Sequence, residues 1–309
     1  MAIHELSANF ASFFGNLNPS ATKITAAARE HARIVELIED RSGPASALAP
    51  RCFLQGSYKQ DTAIHDINDV DVVALCELWQ PGSGSGNTSW SRDQIFAAIA
   101  NAIQCDARYA RAITYSPTSM CVKVSAGVQV EVLPAVYASG NNDPKKEPFR
   151  LYRPESAQWA DGFARYHQGW LTWKNAKNQA DGNFIPLVKV LKHLRTRFAL
   201  KAVSFHIECL AFSLPHTAFR GSPADVIASV LVQIATTPAA TWYQQIVKTP
   251  CQDRDIFTGG EWAADSWYKF HETIVHCANV AYQAVTTNDR ATAIRAWQLI
   301  LGDNYFPTL

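Results

Sequence analysis

Apolar and polar positions change period along this chain. Across residues 20–41, Ile34, Val35, Leu37 and Ile38 recur as one face of a long helix, with Ser20 or Thr22 available as its cap and Pro44 and Pro50 beyond its end. The period then drops to two. Cys52-Phe53-Leu54 is a short apolar run that ends in Gln55-Gly56-Ser57-Tyr58, and in Asp69-Val70-Asp71-Val72-Val73 the aspartates share one strand face while Val70 and Val72 point into a core. Helical spacing returns at residues 92–104 through Ile95, Phe96, Ile99 and Ile103. Met120 to Ser125 and Val128 to Leu133 alternate around Ala126-Gly127, which predicts a hairpin with Val128, Val130 and Val132 inward and Glu131 on the face of Gln129. Residues 81–87 and 139–146 are Gly, Ser and polar stretches that read as loops, the second as a lobe boundary. Helical patterns dominate after it. In the helix from residue 187, Leu187, Val190, Leu191, Leu194 and Phe198 form one stripe and Lys189 and Lys192 lie opposite.

A chain of 309 residues exceeds one ordinary core, so two lobes are expected, residues 1–150 with a small mixed sheet and residues 151–309 mainly helical, an α+β arrangement. Lys and Arg total 28 against 27 Asp and Glu, which leaves no basic field of the kind that tracks long nucleic acid; a small nucleotide suits the chain better. No run approaches the length of a membrane span and the start lacks a secretory pattern, so the reading is no membrane and a cytoplasmic location. Seven cysteines without a C-x-x-C pair read as reduced core residues. His271 and His276 stand five apart, which takes them off the common helix face that a zinc pair needs. Trp159, Trp170, Trp173, Trp242, Trp262, Trp267 and Trp297 read as packing anchors of the helical half.

The candidate chemistry is phosphoryl transfer. Two aspartates on one strand face, with Glu131 on a neighbouring strand, supply the oxygen ligands that hard Mg²⁺ takes in two-metal sites. Gly56-Ser57 offers unhindered backbone N–H groups and a hydroxyl for a triphosphate. Each feature also has a plain structural reading: Asp-x-Asp as a solvated strand face, Gly-Ser as a turn, Lys189 and Lys192 as a solvated basic face.

Taken together these segments resemble a known family. Gly56-Ser57-Tyr58, Thr62-x-Ile64 and Asp69-Val70-Asp71-Val72-Val73 look like the first motif of the polymerase-β-like nucleotidyltransferases, and within them of the bacterial cGAS/DncV-like enzymes (CD-NTases) that make cyclic oligonucleotide signals in anti-phage defence. Gln129-Val130-Glu131-Val132-Leu133-Pro134 resembles the strand of the third carboxylate, commonly Asp in the family and one methylene longer here. Leu187 to His193 resembles the phosphate-binding helix, Lys201 to Leu210 the segment K-x-x-S-Y/F-x-L-E-x-L with Phe205 where many relatives carry Tyr, and Leu301 to Pro307 the usual terminus. The resemblance implies a nucleotidyltransferase core with a C-terminal OAS/cGAS-like helical lobe and an active site in the cleft between them. It implies catalysis and metal binding by Asp69, Asp71 and Glu131 with Mg²⁺, or Mn²⁺ in its place, and nucleotide contacts from Gly56, Ser57, Lys189, Lys192, Ser204 and Phe205. NTPs would be the substrates, and an effector protein encoded nearby would sense the product. The same carboxylates would also serve an enzyme adding nucleotides to a protein or RNA acceptor, or a catalytically weak nucleotide-binding homologue.

Overall fold

The computed structural model describes residues 2–65, 69–79, 89–138, 149–162, 164–252, 254–257 and 260–309. The expected loops at 81–87 and 139–146 lie outside the described residues. The chain divides into two compact units, one of residues 19–60 and 66–168, the other of residues 1–18, 61–65 and 169–309.

The first unit is built on a seven-stranded mixed sheet. Its strands are β1 (Pro50–Gln55), β2 (Asp69–Cys76), β3 (Ile113–Thr114), β4 (Val122–Ala126), β5 (Val128–Tyr137), β6 (Phe149–Arg153) and β7 (Gln158–Asp161). The order β1-β2-β5-β4-β3 is antiparallel except where β2 runs parallel to β5, and β6 pairs with both β5 and β7. The predicted hairpin forms β4 and β5, and Gly127 turns it at φ +100°, a conformation that favours glycine.

Alternation on β2 holds only at its start. Val70, Val72, Ala74 and Cys76 join the main core of this unit, while Val73 and Leu75 are buried on the opposite face under Ala135, Phe149 and Phe53. That opposite face is the one Asp69 and Asp71 share, so the apolar cover lies at the far end of the strand and the carboxylates stand where it stops. Each buried valine adds roughly 1.5–3 kcal/mol, which fixes the register, because a one-residue slip would bury the aspartates.

Two helices cover the main-core face of the sheet. The long predicted helix is α2 (Ala21–Ile38), following α1 (Ser7–Leu17), and the Ser20 side chain accepts from the Lys23 N–H. After the single turn α3 (Gly56–Lys59) comes α4 (Arg92–Gln104), opened by a capping box of Ser91 and Gln94 and burying Ile95, Phe96, Ile99 and Ile103.

The helices α5 (Ala164–Asn175), α6 (Phe184–Arg197), α7 (Ser204–Ser213), α8 (Pro223–Thr236), α9 (Ala239–Gln244), α10 (Ala264–Thr286) and α11 (Arg290–Leu301) follow the sheet. All of them from α6 onward belong to the second unit. Trp262, Trp267 and Trp297 are its largest fully buried side chains, in keeping with their reading as anchors, and His271 Nε2 lies 2.8 Å from the Thr237 carbonyl, a structural contact.

The expected division at residue 150 needs correction. β6 and β7 extend the sheet past that point, which carries Trp159 into the sheet unit, 6.1 Å from Trp79 between ring centroids. Residues 1–18 belong instead with the helices: Phe10 meets Trp297 edge-on at 5.2 Å and Phe306 at 4.9 Å, contacts between residues too far apart in the chain for local periodicity to report.

Candidate active site

The carboxylates are placed by strand pairing. Asp69 lies in register with Gln129 across the parallel β2–β5 pair, and Asp71 lies in register with Glu131 on that side and with Gln55 on the other. Register partners present their side chains to one face, so Asp71 and Glu131 are lateral neighbours and Asp69 stands two residues along. Asp69 is exposed and Asp71 half-buried. Burial, then the charges of Asp69 and Glu131, push the Asp71 carboxyl up to about 7.

Gly56 meets two demands at once. Its φ is +71°, and a Cβ there would sit 1.9 Å from Oδ2 of Asp71. No other residue lets the backbone after β1 lie so close against that carboxylate, and Ser57 follows as the second residue of α3. Gly56→Ala should therefore displace Asp71 by about an ångström, lower the activity by about 100-fold and destabilise the fold by roughly 1–3 kcal/mol. Turnover and melting temperature of the variant check this; wild-type turnover would show that Asp71 needs no such cradle.

Glu131 is occupied differently from the expectation of three converging carboxylates. Lys123 of β4 is its antiparallel register partner and places Nζ 2.8 Å from Oε1. Gln129 Nε2 donates to the same oxygen at 3.0 Å, and Cys121 Sγ lies 3.7 Å from Oε2. Among the described residues no group of three or more His, Cys, Asp or Glu is gathered as a cation cage. Asp69 and Asp71 suit a hard divalent ion, since both are oxygen donors and a cation beside them would relieve the burial and the carboxylate charges that raise Asp71. Glu131 meets a cation of the chain's own instead.

Residues 5–175 match the family model of the Second Messenger Oligonucleotide or Dinucleotide Synthetase domain. The chain belongs to this family. It is 24% identical over 206 residues to the cyclic UMP-AMP synthase of Rhodothermus marinus, covering 59% of this chain and 69% of that one. Among solved structures it is similar to Escherichia coli MS115-1 CdnC in a complex with HORMA-deltaN, at TM-score 0.71 and 14% identity over 98% of both chains. It is likewise similar to Vibrio cholerae DncV, a cyclic AMP-GMP synthase, at TM-score 0.70 and 10% identity over 97% of this chain and 98% of that one. The fold is that of the cGAS/DncV-like nucleotidyltransferases, as the motifs implied.

In this synthetase the two lysines of α6 are not the solvated face that helical periodicity suggested; both are buried. Lys189 Nζ donates to Asp61 Oδ1 and to Asn18 Oδ1, each at 2.9 Å, and the Asp61 side chain is 84% exposed. Lys192 is 2% exposed and donates to Glu208 Oε1 at 2.7 Å, to Thr62 Oγ1 at 2.8 Å and to the Thr62 carbonyl at 3.2 Å. Those acceptors use its three hydrogens, so the expected phosphate contact by Lys192 is replaced by a structural one.

The base-contact candidates are placed at the start of α7. The Ser204 hydroxyl accepts from Arg195 at 3.0 Å, and the half-buried Phe205 ring has the Arg254 guanidinium 4.9 Å from its centroid. Sequence reasoning missed Lys123 and Arg254, and it missed Thr62 and Glu208 as the partners of Lys192. Lys123 carried a usable signal: a hairpin centred on Gly127 pairs positions four residues to either side, which sets Lys123 opposite Glu131.

Proposed function

We propose that this chain is a Mg²⁺-dependent synthase that joins NTPs, ATP among them, into a cyclic di- or trinucleotide second messenger with release of pyrophosphate. The observation that carries the reading is the register that makes Asp71 the neighbour of Glu131 with Gly56 pressed against it, in a chain of the synthetase family. Asp69 and Asp71 would hold Mg²⁺, or Mn²⁺ in its place, and Glu131 would join them. The bound ion supplies charge neutralisation at the triphosphate and a lowered pKa for the attacking ribose hydroxyl.

The remaining steps belong to the protein's own groups. Gly56 keeps its backbone open to the triphosphate and Ser57 offers a hydroxyl to it. Lys189 exchanges its exposed partner Asp61 for phosphate and offsets the charge on the departing pyrophosphate. Ser204 and Phe205 meet the base, with Arg254 over Phe205 narrowing the space for it. Relatives joining uridine with adenosine or adenosine with guanosine support a cyclic product of this class. Its use is a cytoplasmic anti-phage signal read by an effector protein encoded nearby. No helix among the described residues is long and apolar enough to cross a membrane.

A binding experiment tests the nucleotide assignment. A non-hydrolysable ATP analogue with Mg²⁺ should raise the melting temperature more than either alone, because both bind the native state. Lys189→Ala should weaken that analogue about tenfold, in line with loss of a charge-assisted contact, and leave adenosine within twofold. Equal weakening of both ligands would make Lys189 a packing residue only.

A further inference from the structure

We propose that Lys123 is a positioning residue: a counter-cation, built into the β4–β5 hairpin, that holds Glu131 and sets how much divalent metal the carboxylate site requires. The inference rests on the cation-site reading of Asp69, Asp71 and Glu131.

Three observations carry it. The antiparallel register makes Lys123 and Glu131 direct cross-strand partners, so the contact is fixed by backbone pairing rather than by a chance surface encounter. Glu131 Oε1 takes the ammonium at 2.8 Å together with the Gln129 amide at 3.0 Å, while Oε2 faces the buried Cys121 thiol at 3.7 Å, so both oxygens are engaged within the hairpin. The pair is also asymmetric in exposure, the Lys123 side chain at 49% and Glu131 at 20%, so the ammonium lies on the solvent side and can swing away when a stronger cation arrives.

The physical consequence concerns competition. Adjacent carboxylates repel, and one positive charge beside them relieves part of that repulsion when no metal is bound. A divalent ion that recruits Glu131 must displace the ammonium or share the carboxylate with it. The extra methylene of Glu131 suits both duties. A side chain of this length spans the cross-strand distance to Lys123 and can turn back toward Asp71, its register neighbour on β2. Lys123 thus keeps the metal-free site intact and raises the metal concentration at which Glu131 changes partners.

The test is a Mn²⁺ titration followed by electron paramagnetic resonance on the full chain, freed of metal with a chelator, at constant ionic strength. Lys123→Met should bind Mn²⁺ about fivefold tighter than wild type, the scale of one partly exposed ion pair. Its metal-free melting temperature should fall by about 2–4 °C. Lys123→Gln keeps a polar side chain on the strand and should show the same tighter binding. Lys123→Arg restores the charge and should stay within twofold of wild type. Mn²⁺ affinity unchanged or weaker in both neutral variants, with Asp71→Asn at least tenfold weaker, would overturn the role of Lys123 and leave the aspartate site standing. A wild type that takes up no Mn²⁺, with Asp71→Asn no different, would overturn the cation-site reading and this inference with it.

Discussion

Asp71→Asn should lower the rate of product formation at least 1000-fold, about 4 kcal/mol of barrier, while the protein stays folded. The substitution keeps side-chain volume and the β2–β5 pairing and removes one charged ligand from a pair of aspartates. Its effect on the metal-free protein has a definite sign. Burial and the neighbouring carboxylates raise Asp71 to about 7, so the stability this group contributes is full below the ordinary carboxylate range and is lost as pH rises through 7. Asparagine carries no charge and escapes that loss. The metal-free variant should match wild type in melting temperature near pH 4 and exceed it progressively toward pH 8. Glu131→Gln should show little of this gain, because the lost repulsion is offset by the lost ion pair with Lys123. Thermal melts across that pH range, paired with product assays, check both halves. An Asp71→Asn protein that keeps more than a few per cent of wild-type synthesis would end the assignment of Asp71 as a metal ligand.

Glu208→Ala should destabilise the fold by about 3–5 kcal/mol, far more than Lys189→Ala. The Lys192–Glu208 pair is nearly solvent-free, with side chains 2% and 5% exposed, and truncation of Glu208 leaves the ammonium buried with only the two oxygens of Thr62. Burial pulls Lys192 below its ordinary range, and the Glu208 carboxylate is the main influence opposing that shift. Losing Lys189 uncovers Asp61, which is already in water. A double variant, Lys192→Met with Glu208→Leu, should recover most of the loss, since it removes both buried charges together. Urea denaturation midpoints of the three proteins decide this. If Glu208→Ala melted like wild type, the pair would carry no net structural weight.

The sheet and its carboxylates were legible because period two survives in β2, β4 and β5, and because strand pairing converts that period into lateral neighbours. α2 and α4 were legible for the same reason at period 3.6, α2 with Ser20 as a cap; the capping box of Ser91 and Gln94 that opens α4 came from the structure. The role of α6 was read less well. A stripe of Leu187, Val190, Leu191 and Leu194 implies that the other side is wet, yet residues 61–65 and α7 pack over that side and bury Lys189 and Lys192. Asp61-Thr62-Ala63-Ile64-His65 has no period of its own, and its grouping with the helices comes from side-chain contacts: Asp61 to Lys189, Thr62 to Lys192, and His65 Nε2 to the Tyr305 hydroxyl at 3.0 Å. The matched segment around Ser204 had placed Glu208 in a motif without saying why an acid belongs there; its partner Lys192 supplies the reason.

The most direct test is the stoichiometry of the reaction with all four NTPs and Mg²⁺. In a ring every nucleotide contributes one phosphodiester bond and one pyrophosphate, and no terminal phosphate remains for a phosphatase to remove. Mass spectrometry of the products with pyrophosphate quantitation should give a phosphatase-resistant cyclic oligonucleotide and one pyrophosphate per nucleotide incorporated, with both lost in Asp69→Asn. A linear, phosphatase-sensitive product, nucleotide attached to a protein or RNA acceptor, or nucleotide bound without pyrophosphate release would contradict the account.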